Sequence, residues 1–162
     1  MLKIEGLVRA LEEARVEFVV IGGIAALAYG SATVTNDFDV TAPFTAENFE
    51  RLLGALAPYR PRYALTPDKR PVHHSPEELS HFNNVYLLTD IGRIDVLKHV
   101  EPLGAFDQLA RRAETLVLYG RPIKVLALDD LIAVKAHLGR PKDKLVEAEL
   151  RAIRAKLRAK QP

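Results

Sequence analysis

Apolar positions along the chain change their period several times, and each change marks an element. Ile4, Leu7, Val8 and Leu11 recur at helical spacing, so residues 2–14 are expected to form an amphipathic helix. "EFVVIGG" has no polar break after Glu17 and reads as a short buried strand ending in Gly22 and Gly23. "IAALAYG" then reads as a short Ala-rich helix closed by Gly30. "FDVTA" reads as a strand, with Pro43 ending it. Thr45 caps the next helix, whose expected buried face is Phe49, Leu52, Leu53 and Leu56.

Residues 58–75 are rich in proline and charge and predict an irregular stretch with a short edge strand at 62–65. Ser75, Pro76 and Glu78 carry the chemistry of a helix start. "NNVYLLTDIGRIDVLKHV" predicts a hairpin turning near Asp90–Gly92. A short helix is expected at 103–112, then two strands around a turn at Gly120–Pro122. Asp130 is expected to open a helix reaching Leu138, and a last helix runs over 142–158 with Val146, Leu150, Ile153 and Leu157 inward. This order predicts an α+β fold, a small mixed sheet with helices packed against it. No linker or repeat divides residues 1–162, so one domain is expected: a core over 1–130 and a basic helical segment over 131–162.

Composition narrows the classes. At 48% hydrophobic and 27% charged residues the chain is globular rather than disordered. The net charge of +2 implies no partner by itself. Residues 131–162 hold nine Lys and Arg against three Asp and Glu, a run most simply read as a solvated helix face. The absence of cysteine excludes disulfides and thiolate metal sites and fits a reducing, cytoplasmic setting. The N-terminus lacks a signal peptide's apolar core, and "FVVIGGIAALAYG" is too short to span a bilayer, so no membrane association is expected.

The chemistry gathers in "DFDV". Strand alternation puts Asp37 and Asp39 on one face, with Phe38 and Val40 on the other. Two adjacent carboxylates repel unless a cation sits between them. Magnesium takes oxygen ligands, commonly one or two carboxylates with waters and phosphates. In "RIDVL", Asp95 sits between core-facing Ile94 and Val96, and joins the pair if its strand neighbours residues 37–41. Gly22 and Gly23, lacking Cβ atoms, would let backbone approach a bulky anion. Each feature alone leans towards a structural explanation; their order and spacing together point to a site.

These residues resemble the signature of the DNA polymerase β-like nucleotidyltransferase superfamily: a Gly pair, thirteen residues, then Asp37-Phe38-Asp39-Val40, with Asp95 as the late aspartate. The ending "VLALDDLIAVKAHLGRPKD" is similar to small bacterial and archaeal nucleotidyltransferase-like proteins related to AbiEii-type toxins, with Lys135, Arg140, Lys142 and Asp143 at matching positions. The resemblance implies NMP transfer from a nucleoside triphosphate to a hydroxyl on a tRNA, another RNA, a protein or a small molecule. It implies Mg2+ or Mn2+ held by Asp37, Asp39 and Asp95, nucleotide contacts from Gly22, Gly23, Lys135 and Asp143, and a cognate antitoxin as a partner.

One departure opens a second reading. Many relatives carry Arg where this chain has Thr33, although Thr35 is kept. A nucleotide-binding or interaction module of the same fold, without turnover, is therefore the alternative, and a metal-dependent phosphohydrolase is the third. His73 and His74 are read as solvated loop residues. Tyr59, Tyr63 and Tyr86 are read as core or rim residues rather than base-stacking ones, and Arg151, Arg154 and Arg158 as a solvated stripe.

Overall fold

The computed structural model describes residues 3–162. Helix α1 (Ile4–Glu13) buries Leu7, Val8 and Leu11, as its spacing requires. Strand β1 (Val19–Val20) leads directly into α2 (Gly22–Ala28). The Gly pair is thus the first turn of that helix rather than a bend ahead of it. Strand β2 (Asp37–Thr41) is followed by α3 (Ala46–Leu56), where the Thr45 hydroxyl accepts from the Asn48 N–H at 3.1 Å. A 3-10 turn and the two-residue strand β3 (Arg62–Tyr63) precede α4 (Pro76–Ser80), which Ser75 and Glu78 open with a reciprocal capping box.

Strands β4 (Asn84–Thr89) and β5 (Gly92–Leu97) form the expected hairpin, with Thr89 and Gly92 paired across a tight turn. A small ribbon of β6 (His99–Val100) and β7 (Gly104–Ala105) then leads to α5 (Phe106–Arg112). Strands β8 (Glu114–Leu118) and β9 (Arg121–Val125) turn at Tyr119–Gly120, not at Gly120–Pro122. Both turn residues have positive φ, +53° and +76°, the geometry whose twist matches a two-residue hairpin. Helix α6 (Leu128–Leu138) starts earlier than expected, so Asp129 and Asp130 lie in its first turn. Gly139 in the left-handed region ends it, and Pro141 opens the 19-residue α7 (Pro141–Ala159). Leu157 is exposed because α7 outruns the core; Val146 and Leu150 are its buried apolar residues.

Seven strands form one mixed sheet in the order β3-β4-β5-β2-β1-β9-β8. Strand β2 lies parallel to β5 and antiparallel to β1. Their register matches Phe38 with Ile94, Asp39 with Asp95 and Val40 with Val96. Phe38, Val40, Ile94 and Val96 are essentially fully buried on one face. Burying each such side chain contributes about 1.5–3 kcal/mol, enough to hold carboxylates together on the opposite face.

Candidate active site

The parallel register puts Asp37, Asp39 and Asp95 on one sheet face, with one oxygen from each lying within 4.8 Å of the others. Among the described residues this is the only such acidic group. Burial, then Asp95, then Asp37 push the Asp39 carboxyl up to about 6, against the opposing pull of Lys135 and Arg93. Burial also raises Asp95, although Arg93 pulls it down. Arg93, two residues before Asp95 and so on the same face, grips it with both arms: Nε donates to Oδ1 at 2.7 Å and Nη2 to Oδ2 at 3.1 Å. The Arg93 Nε is 3.9 Å from Asp37 Oδ1, and its guanidinium lies 5.7 Å from the Tyr86 ring centroid. The set is all oxygen and crowded with negative charge, which fits Mg2+ or Mn2+. Because Arg93 occupies both oxygens of Asp95, Asp37 and Asp39 offer the freer donors.

The Gly pair serves this arrangement by yielding space. A Cβ on Gly22, which has φ +66°, would come within 2.5 Å of Asp39 Oδ2. A Cβ on Gly23 would come within 2.7 Å of the Thr35 Cβ. Glycine therefore lets α2 seat against the Asp39 carboxylate and against the loop leading into β2.

Cations close the other side. Asp143, 1% exposed on α7, accepts from Lys135 Nζ at 3.3 Å and from Arg140 at 2.5 and 3.3 Å. Burial pushes its carboxyl up, but Arg140 and Lys135 outweigh burial and hold it below the usual range. Lys135, Arg140 and Lys142 line a cleft of about 270 Å³ together with Gly23, Thr33, Thr35 and the carboxylates of Asp37 and Asp39. An acidic pair at one side and fixed cations at the other suit a ligand that brings both phosphates and a metal.

No protein-family model and no curated protein matches the sequence. Solved structures do match. The lincosamide antibiotic adenylyltransferase LnuA, bound to lincomycin, aligns with a TM-score of 0.61 at 14% identity, covering 94% of this chain and 98% of that one. ANT(2″)-Ia in complex with adenylyl-2″-tobramycin aligns at 0.52 and 15% identity, over 92% and 95% of the two chains. The solution structure of the same antibiotic-resistance factor aligns at 0.51 and 18% identity, over 96% and 93%.

The chain has the polymerase β-like nucleotidyltransferase fold.

Within that nucleotidyltransferase fold, each residue singled out from sequence has a definite position. Asp37, Asp39, Asp95 and Gly22 meet at the carboxylates, and Gly23, Lys135 and Asp143 border the cleft beside them. Lys135 is both a cleft residue and the partner of Asp143. His74 is not simply solvated: its Nδ1 lies 2.5 Å from the Tyr63 hydroxyl, and its ring packs edge-on to Phe82. His73 stays exposed against it. Arg154 and Arg158 reach Asp129 on α6, at 2.9 and 3.6 Å, and Arg151 pairs with Glu147, so that stripe is taken up by ion pairs. Arg93 escaped the sequence reading, although the same alternation that placed Asp95 would have put it on the acidic face. No helix of the described residues is long and apolar enough to cross a membrane.

Proposed function

We propose that this chain is a metal-dependent nucleotidyltransferase, moving an NMP from a nucleoside triphosphate to an acceptor hydroxyl. The observation that carries the reading is the convergence of Asp37, Asp39 and Asp95 next to a cleft bordered by Lys135, Arg140 and Lys142. Residues 1–130 would supply the carboxylates, and the helical segment 131–162 the cations, within one catalytic unit. Asp37 and Asp39, with Asp95 completing the set, would hold Mg2+ or Mn2+, which when bound neutralises phosphate charge and acidifies the attacking hydroxyl.

The chain's own residues supply orientation. Lys135, Arg140 and Lys142 would bind the triphosphate oxygens, with Gly22 and Gly23 leaving room for the phosphates beside Asp39. The acceptor oxygen bonds to the α-phosphorus as the bond to the β-phosphate oxygen breaks, and pyrophosphate leaves. Asp95, held in place by Arg93, would help acidify the acceptor hydroxyl, whose proton would pass to water. Most of the acceleration expected here comes from positioning and fixed charge.

ATP is the first donor to test, because two of the structural neighbours are an adenylyltransferase and a protein bound to an adenylylated product. Those neighbours favour a small hydroxylated molecule as acceptor. The AbiEii-like ending favours instead a tRNA or other RNA acceptor, a cognate antitoxin and a cytoplasmic role in defence. The test is pyrophosphate release from each of the four NTPs with Mg2+, alone and with lincomycin, tobramycin or total tRNA. Pyrophosphate together with a nucleotidylated acceptor supports the proposal. Nucleotide binding without pyrophosphate under every condition would favour the non-enzymatic module, and release of phosphate alone would favour a phosphohydrolase.

A further inference from the structure

The loop between α2 and β2 is tied down from a distant part of the chain. Glu149, half-buried on α7, directs its carboxylate into that loop. Its Oε1 accepts the Ala32 N–H at 2.7 Å, and its Oε2 accepts the Ser31 hydroxyl at 2.8 Å. Ser31 is itself buried; its oxygen accepts the Thr33 N–H at 3.1 Å and lies 2.8 Å from the Thr33 hydroxyl. At the other end of the loop, Thr35 leans on Gly23 and donates to the Asp37 carbonyl at 3.1 Å. The loop is therefore suspended between two anchors, with Val34 (89% exposed) between them and Asn36 just beyond, both at the cleft.

Glu149 makes no ion pair along its own helix. Glu147 pairs with Arg151 one turn on, whereas the helical neighbours of Glu149 are Leu145, Val146, Ala152 and Ile153, none of them charged. Its carboxylate is committed to the loop. Near its start the same helix carries Asp143, which holds Lys135 and Arg140. One helix thus fixes both the cations and the facing loop of a single cleft.

We infer that Glu149 is a positioning residue that sets the 31–36 loop for nucleotide binding, acting through Ser31, Ala32 and Thr33. The inference rests on the proposed use of the cleft for a nucleoside triphosphate. It also gives Thr33 a task, as a member of the latch rather than a phosphate ligand.

The experiment compares the full-length wild type with Glu149→Gln and Ser31→Ala. Binding of mant-ATP and mant-GTP with MgCl2, amide hydrogen exchange over residues 31–36, and thermal melting are measured together. Glu149→Gln keeps the volume and one acceptor oxygen, but removes the charge and the second acceptor, so the Ala32 N–H and the Ser31 hydroxyl can no longer both donate to a carboxylate. It should weaken binding of the better nucleotide about tenfold, the scale of a lost charge-assisted hydrogen bond. The loop should exchange faster while α7 stays protected, and any turnover at saturating nucleotide should fall by no more than about threefold. Ser31→Ala should move binding and exchange in the same directions by less. If either variant binds nucleotide as tightly as the wild type, or the loop exchange is unchanged, the inference is overturned. Should Glu149→Gln fail to fold, Ser31→Ala decides. A wild type that binds neither probe removes the nucleotide reading itself; a binding wild type with indifferent variants removes this inference alone.

Discussion

Asp39 and Asp95 face each other in register across the parallel strands β2 and β5. Like charges directly opposite on neighbouring strands destabilise a sheet. The pair persists because Phe38, Val40, Ile94 and Val96 anchor the same strands on the buried face, and because Arg93 offsets part of the charge. The cost that remains is what a divalent cation bound there would relieve.

That cost has a pH signature. Folded Asp39 keeps its proton up to about pH 6, whereas the unfolded chain releases it near the ordinary 3.8. Between those values the folded state binds more protons, so Asp39 lowers stability progressively as pH rises, with the full penalty above about pH 6. Asp39→Asn should therefore stabilise the metal-free protein at pH 8 by about 2 kcal/mol, with the advantage vanishing near pH 4. Urea titrations in EDTA at the two pH values measure it. Equal stability of variant and wild type at pH 8 would contradict the crowding.

Gly22→Ala meets two obstacles at once, a φ of +66° and a Cβ within 2.5 Å of Asp39 Oδ2. A loss of about 1–3 kcal/mol is expected, with weaker Mn2+ binding because Asp39 must move. Melting curves and Mn2+ titration by electron paramagnetic resonance test both. A variant that melts and binds Mn2+ like the wild type would show that Asp39 does not depend on the close approach.

Arg93→Gln removes the two-armed partner of Asp95. Leaving that carboxylate without its counter-charge should destabilise the metal-free protein by about 2 kcal/mol. Added Mn2+ should then raise the melting temperature more in the variant than in the wild type, since the ion takes over the neutralising role. An equal rise in both would argue that Arg93 and the cation act on different charges.

Asp143 is buried and held by Lys135 and Arg140, so Asp143→Asn should cost about 3 kcal/mol. Lys142→Ala, at an exposed cleft position, should leave the melting temperature alone while raising the KM for nucleotide several-fold. Equilibrium unfolding of the first variant and steady-state kinetics of the second separate support from contact. A stable Asp143→Asn protein would mean that the cations hold their places without it.

Local chemistry made much of this visible in the sequence. Alternation in "DFDV" and "RIDV" assigns each carboxylate to a polar face, and caps such as Thr45 and Ser75 mark helix starts within a residue. Whether β5 would neighbour β2 was not legible, because parallel neighbours are set by packing and not by a short turn. The Gly pair stood out beside the aspartates in the sequence, but the atoms demanding the missing Cβ, on Asp39 and Thr35, become evident only in three dimensions. Arg93 was legible in principle from the alternation that marked Asp95. Glu149 was not, since its partners lie well over a hundred residues away and nothing in the local helix pattern distinguishes it from an ordinary surface acid.

In the proposed function, Asp37, Asp39 and Asp95 share a divalent cation with a triphosphate lying towards Lys135 and Arg140. The most direct measurement is a crystal structure of the protein soaked with MnCl2 and a non-hydrolysable ATP analogue, with Mn2+ located by anomalous scattering. An anomalous peak is expected among the three carboxylates, with phosphate density running from it into the cleft. A fully occupied nucleotide elsewhere on the molecule, or no Mn2+ among those oxygens, would contradict it.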